Sequence, residues 1–167
     1  MKSLLIVGAG SFSTEVEEIA RFNGYDNIAF ADDNLDAIYS SPIVGRMDEL
    51  DKLHHQFDEA IVALGNNEDR IKYHTILKEL KYRIPVLIHP HAFVSKDSTI
   101  GIGSIIRANA VIGRYVNVGE SCIINLGAMI DHHCVIGKGV HLLIGAIVRN
   151  QKTVAPMKWI SSNSVIE

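Results

Sequence analysis

Hydrophobic and polar residues follow two different patterns along the chain, and one gives way to the other near Ile88. Before this point, short apolar runs alternate with stretches in which apolar residues recur at helical spacing. The run at residues 4–7 predicts a buried strand, residues 8–13 a glycine-rich turn, and the apolar positions up to residue 22 a helix.

Further strands are predicted at residues 27–31, 59–64 and 84–88, with a helix over residues 68–81. Alternating strands and helices are typical of a parallel sheet with right-handed crossovers. Residues 1–87 are therefore expected to form a small Rossmann-like parallel α/β domain. The segment between residues 36 and 46 has no clear pattern.

From Ile88 to the end of the sequence, every sixth residue is aliphatic. These positions are Ile88, Val94, Ile100, Ile106, Ile112, Val118, Ile124, Ile130, Ile136, Leu142, Val148, Val154, Ile160 and Ile166. Four residues after each stands a small or β-branched residue, as far as Ala146: Ala92, Ser98, Ser104, Ala110, Val116, Cys122, Ala128, Cys134, Val140 and Ala146.

A period of six fits neither an α-helix nor an alternating strand, but it is typical of a parallel β-helix with three hexads per turn. Residues 88–167 are therefore expected to form an all-β domain of this kind, with the aliphatic series and the small residues at the turns facing its interior. The small-residue series fails at Lys152 and Lys158, which predicts an atypical C-terminal tail from about residue 150.

Composition narrows the class of protein without changing this picture. Hydrophobic residues make up 47% of the chain and charged residues 21%, which is typical of a soluble globular protein. No apolar run is long enough to span a bilayer, so we expect a cytoplasmic protein without a membrane partner. Acidic residues are concentrated before Ile88, the second half is mildly basic, and no basic stripe predicts nucleic-acid binding.

The polar turn at Asp131, His132 and His133 is the most unusual point of the repeat. A neutral imidazole here is suited to act as a general base, although a solvent-facing turn also tolerates histidine without any function. His141 lies nine residues further on, half a coil away, where it can face a neighbouring subunit. No metal site is expected, because neighbouring residues of an extended segment point in opposite directions.

A second candidate site is the Gly8-Ala9-Gly10 turn that follows the first strand. It resembles a dinucleotide-binding fingerprint, and Asp32 and Asp33 end the second strand where a ribose-binding acid is expected. The turn can serve close packing of helix on strand, or it can direct backbone N–H groups at a phosphate. The interpretation as an NAD-dependent oxidoreductase would depend on this turn alone, because no hydride-transfer motif accompanies it.

Taken together, these stretches resemble the sialic-acid O-acetyltransferase and UDP-4-amino-sugar N-acetyltransferase family of hexapeptide-repeat sugar acetyltransferases. The likeness covers roughly residues 3–150. It is carried by residues 6–10, 30–33, 63–67 with Arg70, 87–90, and 125–141. The resemblance implies a left-handed β-helix, homotrimers, a nucleotide sugar held by the first domain, and acetyl-CoA held between neighbouring β-helices.

Site residues follow from the resemblance by position. The catalytic base is His132, with His133 and Asp131 beside it. His141, Asn125 and Gly145 are expected beside acetyl-CoA. The residues expected along the nucleotide sugar are Gly8, Gly10, Ser11, Phe12, Asp32, Asp33, Gly65 and Asn66.

Three features depart from the family pattern. His133 stands where an acid usually follows the base, Phe12 stands where a histidine is frequent, and the β-helix is shortened to a tail. The predicted activity is transfer of acetyl from acetyl-CoA to a nucleotide-linked amino sugar in bacterial surface-glycan synthesis. Two alternatives are a sugar O-acetyltransferase and a non-catalytic nucleotide-sugar-binding or assembly protein that has lost CoA binding.

Overall fold

A four-stranded parallel sheet forms the centre of the N-terminal unit, which comprises Met1–Pro85. Its strands are β1 (Ser3–Val7), β2 (Asn27–Ala31), β3 (Ile43–Gly45) and β4 (Ala60–Val62), in the order β3-β2-β1-β4. The helices are α1 (Ser11–Phe22), α2 (Leu50–Leu53) and α3 (Asn67–Glu79). The structure is a computed structural model that describes residues 2–36 and 39–167.

Apolar residues on both faces of β1 and β2 explain why the strands are central. Leu4 to Val7 and Ile28 to Ala31 are almost completely buried, as expected for a parallel sheet covered on both sides. One core cluster joins Leu5 and Ala29 to Leu50 of α2 and Leu77 of α3. Helix α1 buries Val16, Ile19 and Ala20.

The strand predicted over residues 84–88 is wrong as a single element of this sheet. Arg83 forms only an isolated bridge to Glu59, while Leu87–Ile88 pairs with a strand of the second unit's β-helix. Pro85 interrupts the run because it has no N–H to donate to a ladder. Strand β3 lies in the segment whose pattern was unclear, and residues 37 and 38 of that segment lie outside the described residues.

The second unit, Val86–Glu167, consists of two-residue strands joined by tight corners. The strands are β5 (Leu87–Ile88), β6 (Phe93–Val94), β7 (Thr99–Ile100), β8 (Ile105–Ile106), β9 (Val111–Ile112), β10 (Asn117–Val118), β11 (Ile123–Ile124), β12 (Met129–Ile130), β13 (Val135–Ile136), β14 (His141–Leu142), β15 (Ile147–Val148), β16 (Thr153–Val154), β17 (Trp159–Ile160) and β18 (Val165–Ile166). Each pairs in parallel with the third strand before or after it, which produces a parallel β-helix with three faces.

We name the faces in the order in which the chain visits them. Face A contains β5, β8, β11, β14 and β17; face B contains β6, β9, β12, β15 and β18; face C contains β7, β10, β13 and β16. Chain order therefore puts the corner between faces B and C opposite face A. This relation decides which side chains can meet within one chain.

The predicted inward series forms the core of the β-helix. Ile106, Ile124, Leu142 and Val148 are completely buried and belong to one cluster. Cys122 and Cys134, from the small-residue series, are buried in the same cluster, which confirms their predicted inward position. Each turn of the β-helix places its inward residues on the equivalent residues of the previous turn, so the core is a stack of layers, one for each turn.

Residues after Asn150 continue the coil through β16, β17 and β18, which pair in register with β13, β14 and β15. The structure is thus more regular here than the predicted atypical tail. The backbone register persists although small inward residues are missing at Lys152 and Lys158. Within residues 2–36 and 39–167, no helix has the length and apolar character needed to cross a membrane.

Candidate active site

The corner between β12 and β13, where faces B and C meet, presents Asp131, His132 and His133 to solvent. The Nδ1 atoms of His132 and His133 lie 2.9 Å apart. The backbone N–H of His132 donates to Oδ1 of Asp131 at 2.7 Å, so this carboxylate shapes the turn. His133 has a φ of 59°, the left-handed conformation that closes the corner.

A groove of about 480 Å³ runs along this corner. It is lined by Gly113, Arg114, Tyr115, Asp131, His132 and His133. The previous coil supplies the first three, because the same corner position recurs one turn earlier. The backbone N–H of His133 donates to the carbonyl of Arg114 at 3.0 Å, which fixes one coil on the other.

The groove wall on the previous coil is held by side chains. Arg114 Nε donates to Oδ2 of Asp97 at 2.8 Å, and its guanidinium also donates to the Tyr115 hydroxyl at 3.1 Å. The Tyr115 ring centroid lies 4.9 Å from that of His133. The hydrogen bond and charge of Asp97 raise the pKa of Arg114, so the guanidinium stays charged.

His141 lies on β14 of face A, on the opposite side of the β-helix from His132. Its Nε2 is 3.3 Å from Nδ2 of Asn125, and Oδ1 of Asn125 accepts from Arg107 at 2.5 Å. Burial lowers the pKa of Arg107. The side chains of His141 and Asn125 are only 6% and 7% exposed. A ligand that binds to a single chain can therefore contact only a small part of either side chain.

Gly145 closes the corner after β14 with a φ of 67°. A Cβ at this position would point at Oδ1 of Asn163 in the next coil, an exposed side chain that can move aside. The exposed Trp159 packs its ring 4.5 Å from that of His141 and forms the rim of this cluster.

In the N-terminal unit, the glycine-rich turn after β1 is held by hydrogen bonds to both backbone polar groups of one residue, Ala9. Ala9 N–H donates to Oδ2 of Asp32 at 2.6 Å, and the Tyr39 hydroxyl donates to the Ala9 carbonyl. Oδ1 of Asp32 accepts from the N–H of Asn34 at 2.8 Å. Asp32 therefore fixes the turn, which is a structural role that the sequence comparison with dinucleotide-binding proteins does not predict.

The N-termini of the two long helices differ in their capping. No side chain caps α1 at Gly10, its first turn has no acidic residue, and Gly10 and Ser11 are exposed. At α3, Oδ1 of Asn66 accepts from two backbone N–H groups, at 2.9 and 3.0 Å, and the first turn is acidic. The start of α1 is thus suited to an anion, and the start of α3 is not.

Arg70 holds the loop between β4 and α3 from beneath. Its buried guanidinium donates to the carbonyls of Leu64, Gly65 and Asn66 and to Oδ1 of Asn67. Asp33 is exposed and accepts from the N–H of Met47 at 3.3 Å. In the described part of the chain, no group of three or more His, Cys, Asp or Glu side chains is placed to hold a metal ion.

Comparison with known proteins supplies the family. The model of the PglD N-terminal domain matches residues 3–77. The acetyltransferase domain of PglB from Neisseria gonorrhoeae FA1090, solved in complex with acetyl coenzyme A, is 30% identical, with a TM-score of 0.89 over 99% of this chain and 91% of that chain. The chain belongs to the hexapeptide-repeat sugar acetyltransferases.

Two further solved structures share the fold of this acetyltransferase. PerB from Caulobacter crescentus, in complex with CoA and GDP-perosamine, is 26% identical with a TM-score of 0.89, covering 100% of this chain and 89% of that chain. WeeI from Acinetobacter baumannii AYE is 19% identical with a TM-score of 0.74, covering 99% and 94%. No curated protein sequence gave a significant match. The predicted fold class, a Rossmann-like α/β domain followed by a left-handed parallel β-helix, is confirmed.

Several residues at the candidate sites of this acetyltransferase escaped the sequence analysis. Tyr39, Arg107 and Tyr115 each act through a contact with a residue that is distant in the sequence. For Tyr115 and Arg107 a signal existed, because they stand one repeat of three hexads before His133 and Asn125 and therefore stack on them. For Tyr39 the pattern carries no such signal.

Proposed function

We propose that this acetyltransferase moves the acetyl group of acetyl-CoA to the amino group of a nucleotide-linked amino sugar, with His132 as general base. The observation that carries the proposal is the exposed His132 in a groove whose walls are built by Tyr115 and His133. An imidazole in such a groove is accessible to an acceptor and sheltered from bulk water on two sides. Sugar O-acetylation uses the same groups and is an outcome of the test below.

His132 accepts one proton and returns it. Nε2 of His132 takes the proton of the acceptor nitrogen as that nitrogen bonds to the acetyl carbonyl carbon. When the carbon–sulfur bond breaks, the same Nε2–H protonates the departing sulfur. Proton, acetyl group and thiol are then all accounted for, and His132 is again neutral.

The start of α1 is the proposed position of the nucleotide-sugar phosphates. Backbone N–H groups at Gly10, Ser11 and Phe12 lie at an uncapped helix end, and a pyrophosphate there gains hydrogen bonds together with the helix dipole. Asp32 holds this turn and Asp33 offers exposed acceptor oxygens nearby. Gly65 and Asn66 line the end of β4 on the loop that Arg70 holds.

Acetyl-CoA supplies an activated thioester, and the proposed position for it is beside His141. The Arg107 guanidinium and the imidazole of His141 offer donors to a carbonyl, and Asn125 holds them together. The related PglB domain was solved with acetyl coenzyme A and the related PerB with CoA, which supports acetyl-CoA as the donor. Gly145 belongs to the corner that follows β14, the strand of His141.

A homotrimer resolves the separation of His132 from His141. Face B has an outward apolar row that is largely exposed: Phe93, Val111, Met129, Ile147 and Val165. The corresponding row of face C is more polar, with Thr99, Asn117, Val135 and Thr153. In a closed ring of three copies, the corner that carries His132 in one copy can lie beside face A of the next copy, which carries His141.

The test is acetyl transfer from acetyl-CoA to GDP-perosamine and to UDP-linked 4-amino sugars, followed by release of the CoA thiol. We expect turnover in the wild type and a loss of about 10²-fold or more in His132→Ala. His91→Ala, which changes an exposed histidine of the same β-helix, is the matched control. Full activity of His132→Ala would contradict the assignment.

Calorimetric titration of acetyl-CoA separates this enzyme from a binding module. Saturable binding that weakens in His141→Ala supports the proposed position of the thioester. No heat at millimolar acetyl-CoA, together with binding of the nucleotide sugar, would favour the non-catalytic alternative.

A further inference from the structure

The two neighbouring imidazoles of the candidate active site make a hydrogen bond with each other. Nδ1 of His132 and Nδ1 of His133 are 2.9 Å apart, and the rings stand nearly perpendicular, at 88°. A hydrogen bond between two ring nitrogens needs a hydrogen on one and a lone pair on the other. The pair therefore has two arrangements, and only one of them leaves a lone pair on Nε2 of His132.

We propose that His133 is a positioning residue whose Nδ1 accepts the Nδ1–H of His132 and so directs the Nε2 lone pair of His132 into the groove. The catalytic consequence of this arrangement rests on the function proposed above. In a histidine, the hydrogen bond made by one ring nitrogen decides which nitrogen carries the proton. The other arrangement would leave Nε2–H on His132, which cannot accept a proton.

The surroundings of His133 keep its ring in place for this role. The Tyr115 ring packs against it at a centroid distance of 4.9 Å, and Arg114 holds the Tyr115 hydroxyl. Asp97 in turn accepts from Arg114. This series of contacts crosses from one coil to the next and ends at the ring that faces His132.

The charged groups around the pair are mostly engaged with other partners. Arg114 is paired with Asp97, and Asp131 accepts the backbone N–H of His132. Arg149, which follows Asp131 by one turn of the β-helix, lies 3.6 Å from Glu167. His133 is therefore the ring partner that the structure gives to Nδ1 of His132.

The pair also provides for the charge that forms during transfer. When Nε2 of His132 takes a proton, its Nδ1–H bond to His133 becomes charge-assisted and strengthens. If the Nδ1 proton crosses to His133, the N–H bond on His132 breaks as the one on His133 forms, and the positive charge then resides on the His133 ring. A glutamate at position 133 could accept the same hydrogen.

Nitrogen-15 NMR of the labelled full chain tests the arrangement without any acetyl transfer. At pH 8 we expect the shift of a proton-bearing nitrogen at Nδ1 of His132 and of a lone-pair nitrogen at its Nε2, with the reverse at His133. In His133→Phe, His132 should change to the Nε2–H form that imidazole favours in water. Gln151→Phe, which alters the same corner position one coil later, should leave His132 unchanged.

Kinetics then tests the consequence for catalysis. His133→Phe should lower kcat by about 10-fold to 100-fold with the KM for acetyl-CoA unchanged, and His133→Glu should restore most of it. A His132 that carries Nε2–H in the wild type, or keeps its tautomer in His133→Phe, would overturn the proposal. Absence of turnover in every protein would count against the proposed function, while the NMR result would still decide the role of His133.

Discussion

The two units of the molecule position their candidate site residues in different ways. In the α/β unit, particular side chains hold the loops: Asp32 and Tyr39 hold the turn after β1, and Arg70 holds the loop before α3. In the β-helix, the same corner repeats every three hexads, and Tyr115, His133 and Gln151 share one left-handed backbone conformation. One unit depends on particular anchors and the other on stacked backbone.

This difference predicts different sensitivities to substitution. A corner of the β-helix should tolerate changes of outward side chains but not changes that separate adjacent coils. A loop of the α/β unit should tolerate added volume but not loss of its anchor. Trp159, the single tryptophan of the sequence, lies in the β-helix and makes its unfolding visible by fluorescence.

The largest effect is expected at Gly137, where two coils approach most closely. A Cβ at this position would collide with the backbone nitrogen of Pro156, which cannot rotate away. We expect Gly137→Ala to lower the free energy of unfolding by about 3 kcal/mol. The measurement is urea unfolding followed by Trp159 fluorescence at a fixed protein concentration.

Gly10 offers the matched control in the α/β unit. A Cβ there has nothing within 4 Å, so Gly10→Ala should change stability by less than about 0.5 kcal/mol. Equal losses in the two variants would mean that stacked backbone is not what distinguishes the units.

The six-residue period explains why more of the structure of the β-helix than of the α/β unit could be predicted from the sequence. The inward position of Ile124 or Cys134 follows from the period of six, and each strand of the β-helix ends on a residue of the aliphatic series. The hydrogen bond of Tyr39 to Ala9 joins residues that no pattern connects. The burial of Arg70 could not be predicted either, because in the sequence it is one of several polar residues of the helix.

Removal of the anchoring side chain of Arg70 should cause the second largest loss of stability. Arg70→Met retains volume but leaves the carbonyls of Leu64, Gly65 and Asn66 without their donor, so we expect a loss of about 2 kcal/mol. Hydrogen exchange of peptides that cover the loop before α3 measures the local effect. Arg83→Met, whose ion pairs are exposed, should cost less than about 0.5 kcal/mol; a similar loss there would contradict the anchor role.

The cap of α3 should contribute less than its buried anchor. Asn66→Ala removes the acceptor for the N–H groups of Glu68 and Asp69 and should cost about 1 kcal/mol. Thermal unfolding measures it, and Asn66→Asp should retain most of the stability because a carboxylate also caps. Identical losses in both variants would show that the cap bond is not responsible.

The smallest effect depends on pH. Burial alone would raise the pKa of Glu17, but hydrogen bonds from Ser40, Ser41 and Arg21 outweigh it and hold the pKa below 4.5. Such a carboxylate stabilises the fold above its ordinary pKa, and the contribution is lost as the pH falls through the lowered value.

Glu17→Gln should therefore reduce the Tm at pH 7, and the difference from wild type should shrink as the pH falls below 4.5. Glu18→Gln, on the exposed side of the same helix, provides the comparison. A Tm difference for Glu17→Gln that stays constant down to pH 3 would contradict the bonding described for this carboxylate.

Mixed oligomers test the central claim most directly, because His132 and His141 lie on opposite sides of one chain. Chains with His132→Ala and chains with His141→Ala, each inactive alone, are co-expressed with different tags, and mixed trimers are purified and assayed for acetyl transfer. If the site joins His132 of one copy to His141 of the next, each purified mixed trimer has one intact site of three and should show about a third of wild-type activity. Mixed trimers as inactive as their parents would contradict a site shared between neighbouring copies.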